Sequence, residues 1–173
     1  MKKTLDLRHK TSSCGARRDD PNATRSRAEW HRRLYEAAAR RMEPGEEGFH
    51  ADVALSHSPK SRQRREAVLR LAMRNDPRGQ EHIERLLSDP DARTRRQAMV
   101  ALAMAIHPAQ NKLPLDRAGS QADTVPVRIE ALLARANDPN GGNRKVLAWL
   151  LADYAPLADK RVKQVLQRLG AKA

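Results

Sequence analysis

Apolar residues recur at helical spacing in the middle of the chain. Ile83, Leu86 and Leu87 fall on one face of a helix whose other positions are polar. The segment 92–106 is apolar around most of its circumference, which is typical of a helix that is packed between neighbours. The letters SDP at 88–90 separate the two segments, and the residue before a proline is pushed out of the α region. The pattern therefore predicts two helices joined by a tight turn.

The same pattern recurs along the chain. Residues 59–73 match residues 90–104 at a spacing of 31, with eight identities in fifteen positions. A third copy follows, in which IEALL at 129–133 matches IERLL at 83–87. Self-similarity at such a period is typical of stacked helical repeats. One helix pair cannot cover its own apolar surface, whereas stacked pairs can.

The turn residues resemble those of the HEAT-like repeat family, in which an Asp-Pro turn is followed six residues after the Asp by an Arg. The three turns carry Asp89 with Arg95, Asp138 with Arg144, and Ser58 with Arg64. The resemblance covers residues 58–104 and 129–155. It implies an all-α fold, a short right-handed α-solenoid of helix pairs with capping helices at both ends. It also implies that the three arginines pair with Asp in the turns, and that the usual work of the protein is to hold partners.

Composition supports the same fold class. Apolar residues make up 39% of the 173 residues but aromatic residues only 3%, so the core must consist of Leu, Ala, Val, Ile and Met, which suit helix packing. Cys14 is the one cysteine, which excludes an intramolecular disulfide. We find neither a secretory signal nor an apolar run of membrane-spanning length, and we expect a cytoplasmic protein without a membrane span.

The chain is predicted to have two regions. Residues 1–23 are polar and aperiodic, which indicates a basic disordered tail, and residues 24–173 form the helical repeat domain. Its parts are a helix at 26–42 that ends at EPGEEG, repeats at 46–75, 78–106 and 125–155, a long loop at 107–124, and a closing helix at 157–169. The loop is either a tolerated flexible insertion or a functional segment. The helix at 26–42 is either a cap on the first repeat or a basic docking helix.

Charge points to an anionic partner. The formal net charge is +13, and residues 1–43 hold 12 basic against 6 acidic side chains while residues 143–173 hold 7 against 2. Cations also recur at the start of the second helix of each repeat. We call the following residues the arginine ridge: Arg62, Arg65, Arg93, Arg96 and Lys145. Stacking would bring them together, and unlike the turn arginines they have no structural obligation. The ridge, with Arg32 and Arg33 on the N-terminal helix, either binds carboxylates or phosphates or is a solvated charged face.

No catalytic constellation is present in the sequence. The six histidines lack metal-site spacing, and no glycine-rich phosphate-binding motif occurs, so we expect neither metal nor cofactor and no enzyme activity. Some HEAT-like proteins are DNA glycosylases or bilin lyases, but no matching motif was found here. Two functions remain. One is a scaffold or adaptor that binds an acidic protein through the ridge; the other is a protein that grips nucleic-acid phosphates with the ridge and the basic termini.

Overall fold

The computed structural model describes residue 33 and residues 36–74, 76–106, 125–155 and 159–170. All regular structure in these ranges is helical and none is strand, which confirms the all-α prediction. A helical segment at 36–39 comes first. The following helices are α1 (Gly45–Ser56), α2 (Ser61–Arg74), α3 (Pro77–Leu86), α4 (Ala92–Ile106), α5 (Val125–Leu133), α6 (Gly141–Tyr154) and α7 (Lys160–Arg168). The predicted tail 1–23, Arg32 and the loop 107–124 lie outside the described residues.

Helix α4 is the centre of the described structure. It packs against α2 on one side and α6 on the other, and it also contacts α3 and α5. Because neighbours surround it, the six consecutive residues 98–103 are all buried. Leu102 and Met99 join Leu71 of α2 and Leu147 of α6 in one hydrophobic cluster. The apolar circumference that the sequence shows at 92–106 therefore has a packing reason.

The helix starts follow local chemistry. The side chain of Asp76 accepts a hydrogen bond from the Arg78 amide, and Pro77 occupies the first turn of α3. The side chain of Asn140 caps α6 by accepting from the Asn143 amide. A short 3-10 segment, Ala134–Asn137, follows α5 and leads into the turn before α6. These caps fix where α3 and α6 begin.

A break does occur at the start of EPGEEG. Residues 40–44 are non-helical, and α1 begins at Gly45. Gly48 makes the short break possible, because a Cβ atom at this position would collide with the backbone carbonyl of Glu43. That carbonyl accepts a hydrogen bond of 2.7 Å from Nη2 of Arg74 in α2. The close approach thus joins the start of α1 to the second helix of the same pair.

Helix α7 packs on α5 and α6 with a narrow apolar face. Val162 and Leu166 are fully buried. Its exposed side chains are mostly cationic: Lys160, Arg161, Lys163 and Arg168. No helix within the described ranges combines the length and the apolarity that a bilayer span requires.

Candidate functional site

Arg64 joins two successive turns. Its Nε and Nη2 atoms donate to the carboxylate of Asp89 at 2.6 and 2.9 Å. Its Nη1 atom donates to the carbonyl oxygens of Ser58 and Pro59 at 2.8 and 3.0 Å. Arg64 therefore holds the turn of its own helix pair and binds the turn of the next pair.

Arg95 repeats this geometry one pair further on. It donates to the carboxylate of Asp138 at 2.7 and 3.1 Å and to the carbonyl oxygens of Asp89 and Pro90 at 2.8 and 3.1 Å. The Arg95 and Asp138 side chains are 10% and 1% exposed. Arg144 makes only the bonds within its own turn, to the carbonyl oxygens of Asp138 and Pro139. Within the described ranges it contacts no carboxylate, so the predicted pairing of Arg144 with Asp was wrong. The reason is that Arg64 and Arg95 each bind the carboxylate of the following turn and not of their own.

These contacts set the ionisation of the turn residues. Burial raises the pKa of Asp138, but hydrogen bonds from Arg95 and from the Asn140 amide outweigh it and hold the pKa below its ordinary value. The pKa of Asp89 is lowered in the same way, with Arg64 and the Asp91 amide opposing burial. Both carboxylates are thus ionised at neutral pH, and Arg64 and Arg95 are committed to them.

Ser58 replaces the Asp only in part. Its Oγ accepts from the Lys60 amide at 3.1 Å, as Oδ1 of Asp89 accepts from the Asp91 amide at 2.8 Å. The hydroxyl therefore preserves the hydrogen bond that shapes the turn. It supplies no negative charge, so the series of Arg–Asp pairs begins at Asp89.

Four ridge arginines lie around one cavity. Arg62 and Arg65 of α2, and Arg93 and Arg96 of α4, line a space of about 400 Å³ together with Arg41. We call it the arginine cavity. The arginines occupy equivalent positions of two packed helices, so the spacing of 31 in the sequence becomes proximity in space.

The other predicted binding residues lie elsewhere. Lys145 is exposed on α6 and does not line the arginine cavity. Arg33 is exposed and is likewise absent from the lining, and Arg32 is outside the described residues. The ridge is therefore split into a compact group on α2 and α4 and a separate lysine on α6.

Two ridge residues do have internal partners, so the expectation that none has a structural obligation was wrong. Nη1 of Arg65 donates to Asp91 at 2.8 Å, and Nε of Arg96 donates to Oδ1 of Asn143 at 3.1 Å. The reason is the packing of α2 against α4 and of α4 against α6. This packing places the start of α4 beside α2, and the start of α6 beside α4. Arg62 and Arg93 make no ion pair or hydrogen bond with any described residue.

The two paired arginines differ in charge compensation. Asp91 accepts from Arg65 and from the amide and hydroxyl of Thr94. Burial raises the pKa of Asp91, but these hydrogen bonds lower it by more, so its pKa lies below the ordinary value. Arg65 therefore faces an ionised carboxylate. Before α6 the same position is Asn140, which is neutral. Arg96 therefore keeps a positive charge that no carboxylate on α6 compensates.

The rest of the lining was not predicted as part of a site. Arg41 donates to Glu66 at 3.1 Å, and Arg70 donates to the same carboxylate at 2.7 Å, which lowers the pKa of Glu66. Gln97 has a buried Nε2 atom without a hydrogen-bond partner in the described structure. The apolar part consists of Ala37, Ala38 and Leu69. Glu66 and Gln97 are separated by the same spacing of 31 as the ridge arginines, and this register is the signal that could have identified them.

The described residues contain no group of three or more His, Cys, Asp or Glu side chains placed to hold a metal ion. The chemistry of the cavity is that of hydrogen-bond donors and positive charge, which can bind an anion. Comparisons of the chain with protein-family models, with curated proteins and with solved structures gave no match.

Proposed function

We propose that the chain is a short right-handed HEAT-like α-solenoid with capping helices, and that it acts as a non-catalytic scaffold or adaptor. In this proposal it binds an acidic partner protein through the arginine cavity. Support for the architecture comes from Arg64 and Arg95, which make the same four bonds in successive turns. The side-by-side packing of α2, α4 and α6 is the arrangement that a stack of helix pairs requires.

The observation that carries the binding role is the state of Arg62 and Arg93. Both are exposed, both line the arginine cavity, and neither has a partner among the described residues. Arg64 and Arg95 form ion pairs with Asp89 and Asp138, so a structural role accounts for those two arginines and not for Arg62 and Arg93. An unpaired guanidinium presents a planar fork of donors that fits a carboxylate with two parallel bonds.

The test is the binding of a fluorescent glutamate-rich peptide to the full chain, measured by anisotropy. Replacing Arg62 and Arg93 together by Gln should weaken binding by at least about tenfold, because charge-assisted hydrogen bonds contribute about 1.5–3 kcal/mol each. The matched control replaces Lys160 and Lys163 of α7 by Gln, which removes the same charge from exposed positions outside the cavity. Equal losses in the two variants would show that binding follows net charge and not the cavity.

The second candidate is nucleic-acid binding, which the distribution of the other cations favours. Lys160, Lys163 and Arg168 are exposed on α7, and Lys145 is exposed on α6. Separate cations of this kind suit phosphates that are spaced along a strand. Random duplex DNA and RNA belong in the same assay over a salt series. If this candidate is correct, log affinity falls linearly with log salt, and the Lys160 and Lys163 variant flattens the slope.

A further inference from the structure

The arginine cavity carries more donors than one carboxylate can use. No described residue accepts a hydrogen bond from Arg62 or Arg93, and Arg96 uses one of its N–H groups on Asn143. Nε2 of Gln97 adds a donor that no described residue satisfies. A guanidinium has five N–H donors, whereas a carboxylate has two acceptor oxygens. The donor set therefore matches an anion with more acceptor oxygens.

Charge leads to the same conclusion. Five arginines line the cavity, and the carboxylates that contact them are Glu66 and Asp91. Within the described structure, the other three arginines of the lining have no carboxylate partner. A single glutamate side chain of a partner would neutralise one of them, whereas a phosphate monoester carries about −1.5 to −2 charges and three acceptor oxygens.

The size and the apolar part of the cavity restrict the kind of molecule or side chain that bears the anionic group. Its volume of about 400 Å³ falls within the range of roughly 300–1,000 Å³ that small-ligand sites occupy. Ala38 and Leu69 provide an apolar surface beneath the arginines. A side chain with an apolar body and an anionic end satisfies both parts at once. An inorganic anion would leave the apolar surface uncovered.

We propose that the arginine cavity is a binding site for a phosphate monoester, namely a phosphorylated side chain in an exposed segment of the partner protein. Arg62 and Arg93 clamp the phosphoryl oxygens, with Arg96 and Gln97 as further donors, and the apolar part receives the body of the phosphorylated residue. The inference rests on the proposed function, because it specifies what the acidic partner presents to the cavity.

The experiment titrates the full chain with four peptides that differ at one position: phosphoserine, phosphotyrosine, glutamate and unmodified serine. Binding is followed by the arginine Nε–Hε signals in ¹H–¹⁵N spectra. At least one phosphopeptide should bind at least about tenfold more tightly than the glutamate peptide, because the phosphate carries nearly twice the charge. The signals of Arg62 and Arg93 should shift, whereas those of Arg64 and Arg95, which are held by Asp, should not.

Two variants decide between the outcomes. Arg62→Gln with Arg93→Gln should abolish the preference for phosphate without changing the circular dichroism, since neither residue has a partner in the described structure. Lys160→Gln with Lys163→Gln should preserve it. If the glutamate peptide binds as tightly as both phosphopeptides, and through Arg62 and Arg93, the phosphate inference is wrong and the proposed function stands. If no peptide depends on these two arginines, both fail.

Discussion

Replacing Arg95 by Gln should be among the most destabilising polar changes in the described structure. The variant loses the two bonds to Asp138 and the two bonds to the turn carbonyls of Asp89 and Pro90. It also leaves the Asp138 carboxylate, which is 1% exposed, without its cation. Removing one partner of a buried ion pair costs about 3–5 kcal/mol, because the remaining charge is neither solvated nor paired. We therefore expect the free energy of unfolding to fall by about 3–5 kcal/mol.

The matched control is Arg144→Gln. Arg144 makes only the two bonds to carbonyl oxygens of its own turn, so its loss should cost about 1.5 kcal/mol. Urea unfolding of the full chain, followed by far-UV circular dichroism, gives both values. The difference between them isolates the contribution of the pair that joins successive turns.

A double variant tests the cause of the loss. Asn at 138 can still accept a hydrogen bond from the Asn140 amide, as Asp138 does at 2.8 Å, but it carries no charge. Adding Asp138→Asn to Arg95→Gln should therefore recover part of the lost stability. The reasoning fails if Arg95→Gln costs no more than Arg144→Gln, or if the second substitution simply adds a further loss.

The remaining predictions concern pH and one glycine. The pKa values of Asp89 and Asp138 lie below the ordinary 3.8 in the folded chain, so their stabilisation is fully present above that value and is lost as pH falls through the lower folded values. Urea midpoints measured from neutral into acid pH should show this, with a smaller acid-induced loss in Arg95→Gln, because Arg95 no longer lowers the folded-state pKa of Asp138; identical profiles would contradict it. Gly48→Ala should cost about 1–3 kcal/mol by collision with the Glu43 carbonyl, whereas Gly141→Ala, whose Cβ has only an ordinary contact, should be neutral or stabilising in thermal unfolding.

Much of the fold could be predicted from local sequence signals. The helices α2 and α4 were predicted because the apolar period and the Pro turns lie within each segment. Helix α1, which opens the repeat predicted at 46–75, matches the other first helices less well in sequence, because its key polar residue has distant partners. Asp52 is buried between Arg70 at 3.3 Å and Arg74 at 2.6 Å, which are 18 and 22 residues away. A buried Asp in a helix without a clear apolar face becomes comprehensible only when the pairing of α1 with α2 is known.

The sequence predicted which arginines form the candidate site, but it did not predict which of them are neutralised by a carboxylate. The register of 31 residues identifies Arg62 and Arg93, and Arg65 and Arg96, as equivalent positions. It cannot show which of them is neutralised, because the partner belongs to the next helix pair. That partner became visible only with the packing of α2 on α4 and of α4 on α6.

Once this packing is known, the turn residue before each second helix determines how much charge the preceding arginine retains. Asp91 stands before α4 and compensates Arg65 through an ion pair of 2.8 Å. Asn140 stands before α6, and there Arg96 donates to the neutral side chain of Asn143. Whether this turn position holds Asp or Asn therefore changes the net charge of the arginine cavity, although the position itself does not line the cavity. An Asn140→Asp substitution would add a carboxylate at the position where Asp91 compensates Arg65. Reduced anion binding by that variant, with α6 still capped, would locate the source of the excess charge in this turn.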